Sequence, residues 1–424
     1  MNAPVQIKLT EAENALLAAY NDQVGSLPGN GDVLTARDSA ISEIKSYGLP
    51  TRRVEAWHYT DLRSLLKRVP VSAGASVAAL NPLIAGSTVL PLLNGAADDG
   101  VRVDGASVRT IESALVDGSA AAAITVKDHD DAIGRINAGF VRDGYEINVA
   151  DSAKLESPLE LQAVQGGGNA HGRYILTAGA GSSVTVIERQ VASGDAAALV
   201  STVSDIVVGE GAELTWIVLQ QQGLGDTHLG QLNFSLEKDA RLKLYIVNAG
   251  GKLVRQEVHG VTVGEGADFT FRVINLLGGE SHTDVTMTLG HDVPETTSTE
   301  IVRNVVFDKA SGVFQGQIRV APDAQKTDAR MACNTLLLSE EADFSTKPEL
   351  EIFADDVQCA HGATVADIDS THLYYLMARG IPEKKARALL VQAFVAEIVE
   401  ELEDEALVAA LEAVIEGWLE RHGH

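Results

Sequence analysis

The pattern of apolar and polar positions changes character twice along this chain. From Thr10, "TEAENALLAAY" sets Leu16, Leu17 and Tyr20 at helical spacing, and Thr10 with Glu13 forms the signature of a capping box. A second helix is predicted over about Asp32 to Tyr47, stopped by Gly48 and Pro50. The next stretch, "TRRVEAWHYTDLRSLLKRVP", is dense in large and charged side chains. Its plain reading is a packed helix start anchored by Trp57. Between residue 70 and about 145, short strands ("STVLPLL", "VRVDGASV") alternate with helical stretches ("RTIESALVDG", "KDHDDAIGRINAGFV").

From about 145 the period drops to two, in runs of Val, Ile, Thr, Leu and Tyr broken by Gly and Asp. One phrase recurs: "VGEGAELTWIV" begins at Val208 and "VGEGADFTFRV" at Val263. Looser versions place the same point at 150, 179, 209, 237, 264, 290, 321 and 354, in steps of 26 to 33 residues. A small turn followed by alternating apolar residues at such a period predicts a β-solenoid, each coil burying its inward side chains on its neighbours. The rival is a β-sandwich of regular hairpins, but evenly spaced Asn-Gly or Asp-Gly turns are missing from this region. After "STHLYYLMARG" the pattern is helical again. Pro382 opens one helix, with Ala386, Leu389, Leu390, Ala393, Phe394 and Ile398 expected on its apolar face. "EDEALVAALEAVIEGWLERHGH" forms a second. The fold class expected is mainly β. The parts are a helical and mixed region over 1–145, a solenoid core over 146–368 and a helical region over 369–424.

Composition narrows the function. The chain has 424 residues, 45% of them apolar, and a net charge of −26. Such a surface repels phosphate backbones and anionic lipid heads, so neither nucleic acid nor membrane is expected as the main partner. No run of about 18 apolar residues is present to span a bilayer. The N-terminus lacks a basic segment followed by an apolar one, so no signal peptide is expected. Two cysteines make no disulfide framework, and a reducing cytoplasm is the expected compartment.

Several chemistries are missing from the sequence. There is no phosphate-binding Gly-x-x-x-x-Gly-Lys-Ser/Thr loop, so no nucleotide is expected on this chain. Gly-x-Ser-x-Gly, His-Glu-x-x-His and Cys-x-x-Cys are absent too. "QGGGNAHG" reads as a corner loop, without strand-loop-helix context. What remains is "ADDVQCAHGATV", Ala354 to Val365. Residues i and i+2 of a strand point the same way, so Cys359 and His361 share a face. A thiolate beside an imidazole is half a site for iron or zinc. The same pair also reads as core packing, or as a nucleophile with its base, although no orienting group or oxyanion hole is evident. Cys333 lies 26 residues before Cys359, about one solenoid step, which places it on a neighbouring coil.

The stretch Asn334 to Leu402 closely resembles the C-terminal core of the SufB/SufD family, scaffold subunits of the SUF iron–sulfur cluster assembly machinery. The matching elements are "LLLS", "P-LEI-ADDV-C-HGATV", "YYL-ARGI" and "A--LL--AF". "RRVEAWHYTDLRSL" resembles the family's N-terminal signature. With two cysteines, and "CAHGATV" where the SufB branch has Glu-His-Glu, the chain is similar to the SufD branch. Ala366 departs from the more usual glycine after Gly-Ala-Thr-Val, a change expected to adjust a turn.

The resemblance implies a right-handed parallel β-helix flanked by helices. It implies a non-enzymatic scaffold that pairs with a SufB-like sister at the C-terminal end of the coil, or with a second copy of itself in isolation. The C-terminal helices would hold SufC, an ABC-type ATPase, so ATP hydrolysis would belong to that partner. A transient iron–sulfur cluster, or iron, would form at the interface with SufB, with His361 and Cys359 as the metal donors of this chain. The alternative is a free-standing solenoid enzyme acting on polysaccharide, which needs an acidic and basic cluster along one coil face. A plainer alternative is an adaptor in which the Cys-His pair only packs.

Overall fold

A computed structural model describes residues 7–71, 75–126, 128 and 130–422. The first six residues, Lys127, His129, Gly423 and His424, parts of stretches read above, lie outside the described residues. The strands form two sheets, one of 10 strands and one of 9. Successive strands alternate between them. Ser183–Ala192 lies in the larger sheet, Ala198–Val208 in the smaller, and Glu213–Gln221 returns to pair in parallel with Ser183–Ala192. This is the parallel β-solenoid that the repeat predicts, with two strands to each coil.

The corners explain the repeat. Ser152, Gly181, Gly211, Asp239, Gly266, Glu295 and Lys326 all sit at positive φ, between 54° and 73°. A left-handed residue reverses the chain between one strand and the next, and Gly adopts it at no steric cost. The weaker sequence matches at 290 and 321 fall short of this point: the turning residues there are Glu295 and Lys326. Gly290 lies within its strand and Ala321 opens a longer corner, of seven residues, so a fixed phrase slips out of phase.

Inside the coil, side chains stack in rows because neighbouring strands pair in register. One row runs Leu214, Leu242, Phe269, Ser298, Ala329, Cys359. The next inward row runs Trp216, Leu244, Phe271, Glu300, Met331, His361. Early coils fill these rows with apolar groups, and late coils set Ser298, Glu300, Cys359 and His361 among the apolar Ala329 and Met331. A buried amide ladder follows the same logic. Asn248 donates to Asn275 at 2.7 Å, Asn275 to Asn304 at 2.7 Å, and Asn304 to the Thr335 hydroxyl at 2.9 Å. Each bond satisfies a group that burial would otherwise penalise, a net gain of about 1 kcal/mol apiece.

The outer faces of both sheets are covered by helices. On the N-terminal side are α1 (Glu11–Gln23), α2 (Gly31–Tyr47), α3 (Leu62–Leu65), α4 (Ile111–Asp117) and α5 (Ala132–Phe140). The expected capping box is present, with Thr10 and Glu13 bonded reciprocally. Ile133, Ile136, Phe140 and Trp57 pack against Leu199, Val203, Leu229 and Leu253 of the smaller sheet. On the C-terminal side are α6 (Ser370–Ala378), α7 (Glu383–Val399) and α8 (Glu405–His422). Val391, Val395, Ile398, Leu411, Ile415 and Trp418 cover Ile217, Leu219, Val247, Ile274 and Val305 of the larger sheet. The buried stripe of α7 is Ala386, Val391, Val395, Ile398 and Val399, so Leu389 of the expected face stands 39% exposed.

The segment Glu55–Thr60 is fixed to the smaller sheet by a buried ionic cluster. Arg255, fully buried, pairs with both Glu257 and Asp284 and lies 4.4 Å from the centre of the Trp57 ring. Its guanidinium also donates to the Ala56 carbonyl at 2.7 Å. Thr60 bonds Asp284 and meets His282 Nε2 at 2.9 Å. Burial pushes the Glu257 carboxyl up, but Arg255 and His259 outweigh it and hold the group at about 2. Removing the cation leaves two buried carboxylates without the guanidinium that they share. Arg255→Met is therefore expected to cost about 3–5 kcal/mol of stability, measured by urea unfolding. Combined with Trp57→Ala, the loss should fall short of the sum of the single losses because the residues touch. Additive losses would show that the ring and the guanidinium act independently.

Candidate functional site

The two ends of the coil differ. At the start, Ala106–Thr110 pairs antiparallel with Asp143–Val149, and Ala96–Ala97 with Thr88–Leu93, which closes the stack. At the far end the last strands are Asp343–Ile352 in the smaller sheet and Gln358–Ala366 in the larger. Each is an outer edge. Nearly every residue of Gln358–Ala366 is exposed. Ile352, Phe353 and Val365 add apolar surface there, at 40%, 57% and 43% exposure. A bare edge and an uncovered coil mouth are costly to leave in water, and together they form a surface ready to pair.

The strand Gln358–Ala366 carries both predicted donors. Cys359 is half-buried against the interior core, and His361, two residues on, shares its inward face at the mouth. Burial pushes the Cys359 thiol above its ordinary value, and the nearby negative charge of Asp328 acts the same way. A metal cation would reverse that balance, because it binds the thiolate. Among the described residues no group of three or more His, Cys, Asp or Glu is close enough to hold a metal ion. A soft sulfur and an imidazole suit iron, but two donors need others from outside the chain.

Cys333 does lie on the neighbouring coil. Its partner in register is Ala363, four residues beyond Cys359, about 13 Å along the strand. It is buried, its sulfur takes an Asn304 amide at 3.4 Å, and burial raises its thiol. The two sulfurs therefore do not share a site in this arrangement.

Sequence reasoning missed Glu300. It occupies the row of His361, with Met331 between them, and is completely buried. Its signal was present in the alternation: in "STEIVRNVV" the glutamate falls in phase with the inward residues Val302 and Val306. The coil before it places Phe271 at that point. No helix among the described residues is long and apolar enough to cross a membrane.

Comparison with known proteins agrees with this geometry. The family described as "SUF system FeS cluster assembly, SufBD core domain" matches residues 161–394. The chain is 30% identical to the iron–sulfur cluster assembly protein SufD of Escherichia coli over 387 residues, covering 87% of this chain and 88% of that protein. It is 26% identical to SufD of Bacillus subtilis, covering 69% and 68% of the two chains. Protein ABCI7, chloroplastic, of Arabidopsis thaliana is 28% identical, with 64% of this chain and 60% of that protein covered. A long coil with an open end, matched by family and by relatives across most of its length, places this chain in the SufBD family of the SUF iron–sulfur cluster assembly system.

Proposed function

We propose that this chain is a scaffold subunit on which iron–sulfur clusters are assembled, and that it works at the open end of its coil. The observation that carries this reading is the exposed terminal strand Gln358–Ala366, which holds Cys359 and His361 on its inward face and lacks a neighbour on its outer edge. A SufB-like sister chain would pair there, covering the apolar rim and supplying the missing metal donors. The cluster is the cargo of this interface and belongs to neither partner alone. In the sister's absence the same surface would pair with a second copy of this chain.

The C-terminal helices would take the ATPase partner. Tyr374 and Tyr375 of α6 are 74% and 57% exposed, and Met377 and Leu389 add 41% and 39%. Large apolar groups clustered on a helical hairpin, beside the strand that carries the donors, suit a docking site. Motion of an ATPase held there would be transmitted to the mouth through the short link from Ala366 to Ser370. The free-standing polysaccharide enzyme is disfavoured by the covering of both outer sheet faces, which leaves few coil surfaces for a substrate groove.

Co-expression with a SufB-like chain and a SufC-like ATPase, followed by light scattering, tests the scaffold reading. A stable assembly of all three chains is expected, whereas a monomer that ignores both partners overturns it. His361→Ala should leave the assembly intact and reduce the rate of cluster formation at least tenfold, read by visible absorption under anaerobic reconstitution. Normal cluster formation in that variant would remove His361 from the ligand set. Tyr374→Asp with Tyr375→Asp should release the ATPase while the sister stays bound, read by affinity capture. Retention of the ATPase would place its dock elsewhere.

A further inference from the structure

Buried carboxylates elsewhere in this fold are given donors. Glu160 accepts the Leu83 amide at 2.6 Å, the Gln162 amide at 2.7 Å and the Arg189 guanidinium at 2.9 Å. Glu188 accepts from Gln190 at 2.8 Å and from the Trp216 indole at 3.0 Å. Glu257 and Asp284 share Arg255. Glu300 is different. Its side chain is fully buried, and neither carboxylate oxygen has a well-formed hydrogen bond. The Ser298 hydroxyl is its polar neighbour, and that hydroxyl is engaged with His291 Nε2 at 3.2 Å.

The cation that acts on Glu300 is Arg272, and it is outweighed by burial. Phe271 and Met331 flank it in its row, and the facing sheet turns Met287, Phe314 and Ile318 into the same interior. Arg272, on the adjacent strand, is committed to Glu401 at 2.7 Å and to the Thr299 carbonyl at 2.7 Å. His291 is buried and pushed down to about 4 by burial, so it is neutral. Burial lifts the Glu300 carboxyl to about 8, so the side chain carries its proton at neutral pH. Among the described residues, Cys333, Cys359 and His361 share the inward side of these coils, the last two at the mouth, and Asp328 stands beside Cys359. His361 lies two strands from Glu300, about 10 Å, with the buried Met331 between them.

We propose that Glu300 is the interior charge-balancing group of the coil mouth, giving up its proton when Cys359 and His361 take a divalent metal cation and regaining it when the metal leaves. This rests on the reading of Cys359 and His361 as metal donors. The step balances without oxidant or reductant. The Cys359 S–H bond breaks as the S–metal bond forms, the neutral His361 lends a lone pair, and the Glu300 O–H bond breaks. Two protons leave for solvent, and the buried carboxylate offsets one charge of the cation.

The test is calorimetric titration of the full chain with Cd2+ in two buffers of different ionisation enthalpy, which counts protons released per metal. The ultraviolet thiolate-to-cadmium absorption reports whether Cys359 is bound. Wild type is expected to release about one proton more than Glu300→Gln at pH 7, with the thiolate band kept in both. Wild type alone supplies an independent check: its release should fall toward one less between pH 7 and about pH 9, where Glu300 has already ionised. Equal release by wild type and Glu300→Gln, with the band retained, overturns the role of Glu300 while leaving the donors intact. If Glu300→Gln fails to fold, a pH-independent release by wild type overturns it instead. Absence of the thiolate band in wild type overturns the donor reading, and the role of Glu300 with it.

Discussion

Everything in this molecule depends on strands that pair in parallel and in register from coil to coil. Register means that each inward position is repeated by the coils above and below it. Leu214, Leu242 and Phe269 bury one another, and Glu188, a carboxylate set between Leu161 and Val218 in a neighbouring early row, is answered by Gln190 and the Trp216 indole. The same rule lets a polar residue persist only if its neighbours in the row answer it. The ladder Asn248–Asn275–Asn304–Thr335 meets that condition, whereas Glu300, between Phe271 and Met331, does not.

A two-sheet coil buries its inner faces on itself but leaves two outer faces open to water. Helices from the two ends of the chain cover one face each, through Phe140 and Trp57 on one side and Val395 and Trp418 on the other. The N-terminal cover is held by an ionic cluster around Arg255, which is worth more for what its loss exposes than for what it contributes intact. The C-terminal cover leaves Tyr374, Tyr375 and Leu389 on its free surface. The first side is committed to the fold, and the second keeps apolar area for something else.

A solenoid must end, and the manner of ending carries the functional reading. The start of the coil is closed by antiparallel strands, and the far end is left open with a thiol and an imidazole on its last strand. Two donors are too few for a closed metal site and suit half of one. Behind them the rows carry Ala329 and Met331, and one coil further in Ser298 and Glu300.

Much of the fold was legible because its determinants are local or periodic. The Thr10–Glu13 capping box, the Gly48 stop, and the phrase repeated at Val208 and Val263 each specify backbone geometry without reference to distant residues. The face shared by Cys359 and His361 follows from strand alternation alone. Residue spacing placed Cys333 on the next coil but not its height, because that coil takes 30 residues, Asp328 pairing with Gln358, and the two cysteines are 26 apart. The buried stripe of α7 was misjudged for a similar reason: several of its faces are apolar, and only packing against Ile274 and Val305 selects Val391, Val395 and Ile398. Glu300 had a signal in its phase, but its isolation depends on which side chains meet it from other coils. By itself the sequence determined a repeating coil, its helical flanks and a Cys-His strand near the end. Only the tertiary structure decided which end stays open and which carboxyl is left without a partner, because both follow from contacts between coils that are distant along the chain.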